Sequence, residues 1–482
     1  MYHGRPAQER GVLMRLLRTF AALSLSVALG LLVMPGAHAV PAGSRVVPRN
    51  FNISKATGNQ SEDTIAINPT NPMQMTVVSN EGEITGLFHG WTTDGGLTWN
   101  TDVVADGDNL GTACCDPSLA SDTYGNIFLT WLTSNITVSV ALSTNGGASF
   151  TKIATFPASS GPARPGRANR SAVPFLGSGD QPSIVAAKNQ VWVTFTGNTI
   201  VAQGASVTGL GHVGTFGPPE APSSGHKTGD YGDVAIGPNG QVLIAYQDPT
   251  GGEGPATVYQ ALDPDGIGAA PMGPATQVLV SNVGGFDYIP AQAGRSVDIE
   301  IKLEYDRTGG VRDGRVYLLW TQETPNESDN TDIMVQFSDN DGAAWSTPVK
   351  LNDDPGTRSQ FNPRMSLDPT TGNIAVAWYD ARNDLGNHGP GDTNGRPNDD
   401  ATIYGSSSKD GGVTFAPNAR ISRGVSNSAD SHNGIDYGDY EGMAFYGGFY
   451  FYVWADNSNS TGDNPNGKLH QLDIYTARVR VP

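Results

Sequence analysis

Cysteine is nearly missing from this chain: its 482 residues include only Cys114 and Cys115, side by side. Neighbouring thiols cannot staple distant segments, so a disulfide scaffold is excluded and folding must rest on packing. In an oxidising compartment the two are expected to close on each other as a vicinal disulfide. Charge is also sparse and one-sided. Only 16% of residues are charged, and 29 basic residues face 47 acidic ones for a net charge of −18. That field repels nucleic acid and anionic membranes and favours cations. Long amphipathic helical patterns are missing too, and beyond residue 39 no apolar run is long enough to cross a bilayer.

What is present starts with a leader. Arg15 and Arg18 precede an apolar run from Phe20 to Val33, and Ala37-His38-Ala39 offers small residues for cleavage. Residues 1–39 therefore read as a secretory signal peptide, leaving 40–482 as one exported domain expected to act as a monomer. With 61 Gly and 32 Pro, that domain reads as many short strands joined by tight turns, an all-β class.

One unit recurs. An apolar strand, often ending in an aromatic, appears as Met75–Val78, Ile127–Trp131, Val191–Phe195, Val242–Tyr246, Val316–Trp320, Ile374–Trp378 and Phe449–Trp454. The spacing suits four-stranded blades with loop insertions, giving a seven-bladed β-propeller. Six blades plus an appended hairpin is the alternative. The seventh unit has no fourth strand of its own after Leu472–Val481, so Ser44–Ile53 is expected to complete it and remove an open edge.

The most specific motif lies in the turn between strands three and four. Thr92-Thr93-Asp94-Gly95-Gly96-Leu97-Thr98-Trp99 follows Ser/Thr-x-Asp-x-Gly-x-x-Trp/Phe, and Ser143–Phe150, Ser338–Trp345 and Ser408–Phe415 repeat it. Asn145 and Asn340 replace the Asp in two copies. The Asp or Asn oxygen can accept turn N–H groups and the glycines tolerate left-handed geometry, so the motif reads as structural.

Chemistry is expected on the opposite face. Polar residues gather where each innermost strand begins: Glu62 and Asp63, Asp116, Asp180, Asp230 and Asp233, Asp298 and Glu300, Asn362 and Arg364, then Asp436, Asp439 and Glu441. Carboxylates around one channel raise each other's pKa or recruit a cation. Separately, the loop Asp380–Asp400 carries Asp380, Asp384, Asp392, Asp399 and Asp400, an oxygen-rich set suited to Ca²⁺. No organic cofactor is expected. The connection Pro157–Gly179 holds Arg164, Arg167 and Arg170, a candidate clamp for an acidic ligand.

These turns are the Asp boxes of sialidase-like propellers, and the chain resembles the secreted bacterial BNR-repeat, sialidase-like proteins over nearly all its mature length. Tyr437-Gly438-Asp439-Tyr440-Glu441-Gly442-Met443-Ala444 is similar to their Gly-Asp-Tyr-x-Gly-hydrophobic-Ala stretch, and Trp454-Ala455-Asp456-Asn457 to their Trp-x-Asp segment. The resemblance implies an extracellular glycan as partner and a Tyr nucleophile with a carboxylate beside it. Asp233, Glu300, Asp439, Tyr440 and Glu441 are the catalytic candidates. Arg364, Asp63, Asp116, Asp180, Asp230, Asp298 and Tyr437 are the substrate-binding ones. Neighbouring strand residues point to opposite faces, so Glu300 or Asp233 is the expected partner of Tyr440 rather than Glu441. Of the three arginines that grip the sugar in sialidases, only Arg364 has a counterpart here. The expectation is a carbohydrate-active protein, either a glycoside hydrolase or a non-catalytic module binding a glycan, a protein or a cation.

Overall fold

The computed structural model describes residues 47–82, 85–156, 180–187 and 189–481. Residues 1–39, expected to be a leader, and the arginine-bearing connection 157–179 lie outside them. Within the described residues seven antiparallel sheets form the seven blades of a β-propeller, and the helical content is two short 3₁₀ turns. Six blades run from inside to outside in chain order. The seventh is completed by the first strand of the chain, Asn50–Asn52, which pairs with Asp473–Arg480 in the register Asn50↔Ala477, Phe51↔Thr476 and Asn52↔Tyr475. The closure is reinforced by Asn52 Nδ2 donating to Asp473 at 2.5 Å and Ser54 Oγ donating to the same carboxylate at 3.1 Å. The added strand covers Tyr475–Ala477 and gives the last blade its fourth strand.

Burial follows from the repeat. The second strand of each blade is covered on both faces by its own sheet and its neighbours. That is why Ile127–Thr133, Val242–Asp248 and Ile374–Asp380 are apolar almost throughout instead of alternating. Trp131, Trp378 and Trp454 lie two residues before the ends of three such strands, with no exposed surface. Between the first two blades Ala66, Val78, Leu129, Trp131 and Phe150 make one cluster, so the aromatic of a turn motif seals the gap between blades.

The turn motifs show their physics. Asp94 Oδ1 accepts from the N–H groups of Leu97 and Thr98, both at 3.0 Å, and Oδ2 from Thr98 Oγ1 at 2.6 Å. Asp410 repeats this with Val413 and Thr414. These bonds hold the Asp94 carboxyl down at about 2 although it is barely buried, with Thr98 the main cause.

The innermost strands carry a repeated irregularity that positions the site. Register shifts fall between Ser61 and Thr64, Cys115 and Ser118, Asp180 and Ser183, Asp230 and Asp233, and Phe361 and Arg364. In the fifth blade Thr321 N–H reaches Ile299 O at 2.7 Å while Lys302 pairs with Leu319, which is the same extra residue. Glu62, Asp116, Gln181, Tyr231, Glu300 and Asn362 take positive φ at the first bulge position. Side chains other than glycine adopt that geometry rarely, and its recurrence at one ring marks a designed re-aiming of the strand start. The second bulge position is Pro117, Pro182 and Pro363 in three blades, where the missing N–H costs nothing. The first blade has Asp63 there.

Candidate functional site

The bulges bring a set of side chains to the channel mouth. A cavity of about 30 Å³ is lined by Asp63, Glu300, Lys302, Arg364, Tyr440 and Glu441, with Thr64, Ser118, Gln181, Ser183 and Tyr231 around them. Five of these were sequence candidates: Asp63, Glu300, Arg364, Tyr440 and Glu441. Strand alternation would separate Tyr440 from Glu441, yet both line the cavity. The seventh blade's innermost strand starts only at Gly442, so the alternation rule does not reach them.

Asp63 and Glu441 occupy matching places in adjoining blades, each just ahead of the first regular pair, Thr64↔Val78 and Gly442↔Val453. They meet carboxyl to carboxyl. Asp63 Oδ1 also accepts Gly442 N–H at 3.0 Å. Two carboxylates are acceptors only, so this contact is favourable when one proton lies between them. Burial pushes Glu441 well above the usual range, and the Asp63 charge pushes it further. Asp63 rises to about 7 through burial, opposed by the hydrogen bond from Glu441, by Gly442 N–H and by the charge of Arg364. At neutral pH Glu441 therefore keeps the proton and donates it to Asp63.

The cavity is mixed in sign, not simply acidic. Lys302 Nζ lies 3.1 Å from Glu300 Oε2, and Lys302 and Arg364 oppose the burial that raises Glu300. Arg364 makes no ion pair or hydrogen bond with another described residue, which leaves its planar donors to whatever enters. The Tyr440 hydroxyl has no partner among the described residues. Burial raises it well above the usual phenol value, helped by Asp116, Glu62, Glu300 and Asp63, so it stays protonated.

The remaining candidates sit around this cavity in bonds of their own. Asp233 accepts Ser183 Oγ at 2.5 Å and Leu303 N–H at 2.7 Å, tying the third, fourth and fifth blades. Asp298 caps Glu300 N–H at 2.6 Å, and Asp230 accepts Thr196 Oγ1 at 2.5 Å. Asp439 pairs with Arg295 and accepts Gln181 Nε2 at 2.9 Å, bridging the seventh blade to the third. Asp180 Oδ1 accepts Gln181 N–H, and Asp116 N–H donates to Asn80. Tyr437 is fully buried and stacked 4.3 Å from Tyr379, inside the packing below the mouth. Lys302, Tyr231 and Gln181 escaped the sequence reading. Lys302 is in register with Arg364 and Asp233, each opening the regular pairing of its innermost strand, but the fourth and fifth blades carry Gly232 and Ile301 where others have the proline that marks the position in sequence.

Elsewhere, the carboxyl oxygens of Asp384, Asp392 and Asp400 come within 4.8 Å of one another. Asp399 lies next to them, pushed to about 6 by burial and then by Asp400 and Asp384. Asp380 takes no part: it is bound to Arg382 at 2.8 Å and to Trp378 Nε1 at 2.8 Å. Cys114 and Cys115 form the vicinal disulfide, with Cys114 exposed on the strand leading to Asp116.

No protein-family model matches the chain, and no curated protein matches it. Among solved structures it is similar to the α-L-arabinofuranosidase Arb93A of Fusarium graminearum, at 14% identity over 70% of this chain and 93% of that one, TM-score 0.43. It is also similar to the Hadza microbial sialidase Hz136, at 11% identity over 85% and 73%, TM-score 0.42. The BP39L lectin from Burkholderia pseudomallei is a third, at 12% identity over 75% and 84%, TM-score 0.38. At such identities the likeness concerns the fold alone.

Proposed function

We propose that the chain is an exported, sialidase-like glycoside hydrolase whose reaction takes place at the channel mouth. The observation that carries this reading is the buried Asp63–Glu441 pair, facing the same cavity as the Tyr440 phenol and the unengaged Arg364 guanidinium. A carboxylic acid kept neutral near pH 7 is what protonating a departing glycosidic oxygen requires. In this scheme Glu441 gives its proton to that oxygen as the bond to the anomeric carbon breaks. Tyr440 oxygen attacks the same carbon while its proton passes to Glu300. Water then displaces Tyr440, giving one proton to Glu441, while Glu300 returns its proton to the phenolate oxygen. Arg364 holds an acceptor or anionic group of the sugar. The Asp384–Asp392–Asp400 cluster is the proposed Ca²⁺ position, with a role in holding its loop.

A second reading, a non-catalytic glycan-binding propeller, is favoured by the size of the cavity. About 30 Å³ is room for one water, so a sugar ring would rest on the rim unless the mouth opens. One experiment separates the two. The mature protein is offered sialosides, neutral glycosides and uronic polysaccharides, with hydrolysis and binding followed together. Turnover lost in Glu441→Gln and Tyr440→Phe supports the hydrolase. Turnover that survives both variants removes these residues from the mechanism, and binding without turnover selects the module.

A further inference from the structure

The outermost strand of the seventh blade, Asn50–Asn52, lies on the rim of the ring, and a cavity of about 340 Å³ opens along it, away from the channel. Three cations line this cavity: Arg49, Lys55 and Arg423. The one carboxylate among its described lining residues is Asp463, which pairs with Lys55 at 2.9 Å and accepts Thr461 Oγ1. Two guanidinium groups are therefore left uncompensated in one cavity of a chain whose net charge is −18. Such a local reversal of sign draws anions to that spot and to few others.

Both guanidinium groups are held in place. Arg423 Nε donates to Pro48 O at 2.8 Å and Nη2 reaches Val47 O at 3.4 Å, while the Arg423 N–H donates to Asn50 Oδ1 at 2.6 Å. Those bonds fix the fork and leave its Nη1 donors over. Arg49 lies over the Phe51 ring, 4.6 Å from its centroid, and makes no ion pair or hydrogen bond with another described residue. A guanidinium resting on an aromatic face keeps its N–H donors at its rim. Ser460 lines the same cavity, and its buried Oγ has no hydrogen-bond partner among the described residues. Volume then sets the size of the ligand. About 340 Å³ exceeds a bare carboxylate or sulfate and lies at the small end of ligand cavities, roughly 300–1,000 Å³. Phe51 and the exposed Leu97, from the turn motif of the first blade, set apolar surface beside the cations. A sugar ring with an acidic group matches both, its C–H face on the apolar side and its acid on the guanidinium groups.

We propose that this cavity is a second glycan site that binds one acidic sugar unit, a uronate or a sulfated hexose, with Arg49 and Arg423 gripping the acidic group. The choice of a sugar rests on the glycan reading above, whereas the anion site stands without turnover at the channel. A glycan chain bound there is held on the flank of the ring while the channel mouth stays free.

The test titrates the full mature chain at pH 7.5 with galacturonate, galactose 6-sulfate, galactose and inorganic sulfate, read by ligand-observed NMR. Parent, Arg49→Ala, Arg423→Gln, the channel variant Arg364→Ala and the distant surface variant Lys409→Ala are compared. Arg49 is exposed, so its replacement leaves the fold intact even if Arg423→Gln loosens the strand. The expected result is that both acidic sugars bind the parent roughly tenfold or more tighter than galactose, and that Arg49→Ala and Arg423→Gln weaken them by a similar factor. Arg364→Ala and Lys409→Ala should retain the parent affinity, and whichever acidic sugar binds tighter names the acidic group. Affinity unchanged in Arg49→Ala and Arg423→Gln overturns the site. So does a loss confined to Arg364→Ala, which places the anion in the channel, and so does a parent that does not prefer the acidic sugars. Inorganic sulfate binding as tightly as the acidic sugars overturns the sugar as ligand and leaves the channel reading untouched.

Discussion

Replacing Asp63 by Asn tests the electrostatics of the channel without touching its shape. The parent carboxyl moves from 3.8 to about 7 on folding, driven by complete burial. That is about 3 pH units, or about 4 kcal/mol of differential stability at about 1.4 kcal/mol per unit. The sign is destabilising at high pH. Between about pH 4 and pH 7 the folded state holds the proton that the unfolded chain has released, so stability falls as pH rises through that window. Above about pH 7 the full penalty applies. The amide of Asp63→Asn does not titrate, its oxygen can still accept Gly442 N–H, and its NH₂ group can donate to Glu441. Urea unfolding of parent and variant at pH 4.5, 6, 7 and 8 should give curves that diverge upward in pH. The variant should gain about 1–4 kcal/mol over the parent at pH 8, the lower figure allowing for relaxation of the buried pair. Parallel pH profiles would refute the shared-proton account, because the carboxyl would then titrate alike in both states.

The turn motifs should behave in the opposite sense. Asp94→Ala removes four hydrogen bonds, from Thr92, Leu97 and twice from Thr98, and should cost about 1–2 kcal/mol at pH 7 by chemical denaturation. Its carboxyl is held at about 2, so that cost should shrink as the parent is acidified from about pH 4 through pH 2. Deleting residues through Asn52 should lower the melting temperature sharply, since Tyr475–Ala477 then lose their strand partner and Asp473 loses the Asn52 donor; an unchanged melting curve would mean the closure is dispensable. Replacing both cysteines by serine should shift the denaturation midpoint little, because a bond between neighbours constrains almost nothing of the unfolded chain, and the same titration with and without reductant checks it.

The seven blades were legible because the doubly covered second strands read as apolar runs at regular intervals. The closing strand was legible because the seventh unit lacked a fourth strand of its own, and the chain's first strand was left to supply it. Of the expected segment Ser44–Ile53, residues 44–46 lie outside the described residues, and Asn50–Asn52 form the strand paired with Tyr475–Ala477. The site was legible in part. Counting acidic residues near strand starts found the right ring, but it could not tell a carboxylate that caps a backbone N–H from one that faces the cavity. Asp233 and Asp298 look like Asp63 in sequence, and only the bulge register separates them.

That register also explains why the chemistry gathers at one seam of a pseudo-symmetric ring. The second bulge position needs no N–H, so most blades can fill it with a residue that has no titratable group: Pro117, Pro182, Gly232, Ile301 and Pro363. Asp63 and Glu441 are the exceptions, and they adjoin because the first and seventh blades are neighbours only after the ring closes. The proton they share therefore depends on the pairing of Asn50–Asn52 with Tyr475–Ala477 on the outer edge of the same blade. Loosening that edge, for instance by Asp473→Ala, should lower the apparent pKa of Asp63 by admitting water to the pair, while leaving the turn-bound Asp94 unchanged. Carboxyl titration by NMR reads both groups in one sample. An Asp63 value that stays put while the edge is demonstrably loosened would mean the mouth is held by the inner strands alone.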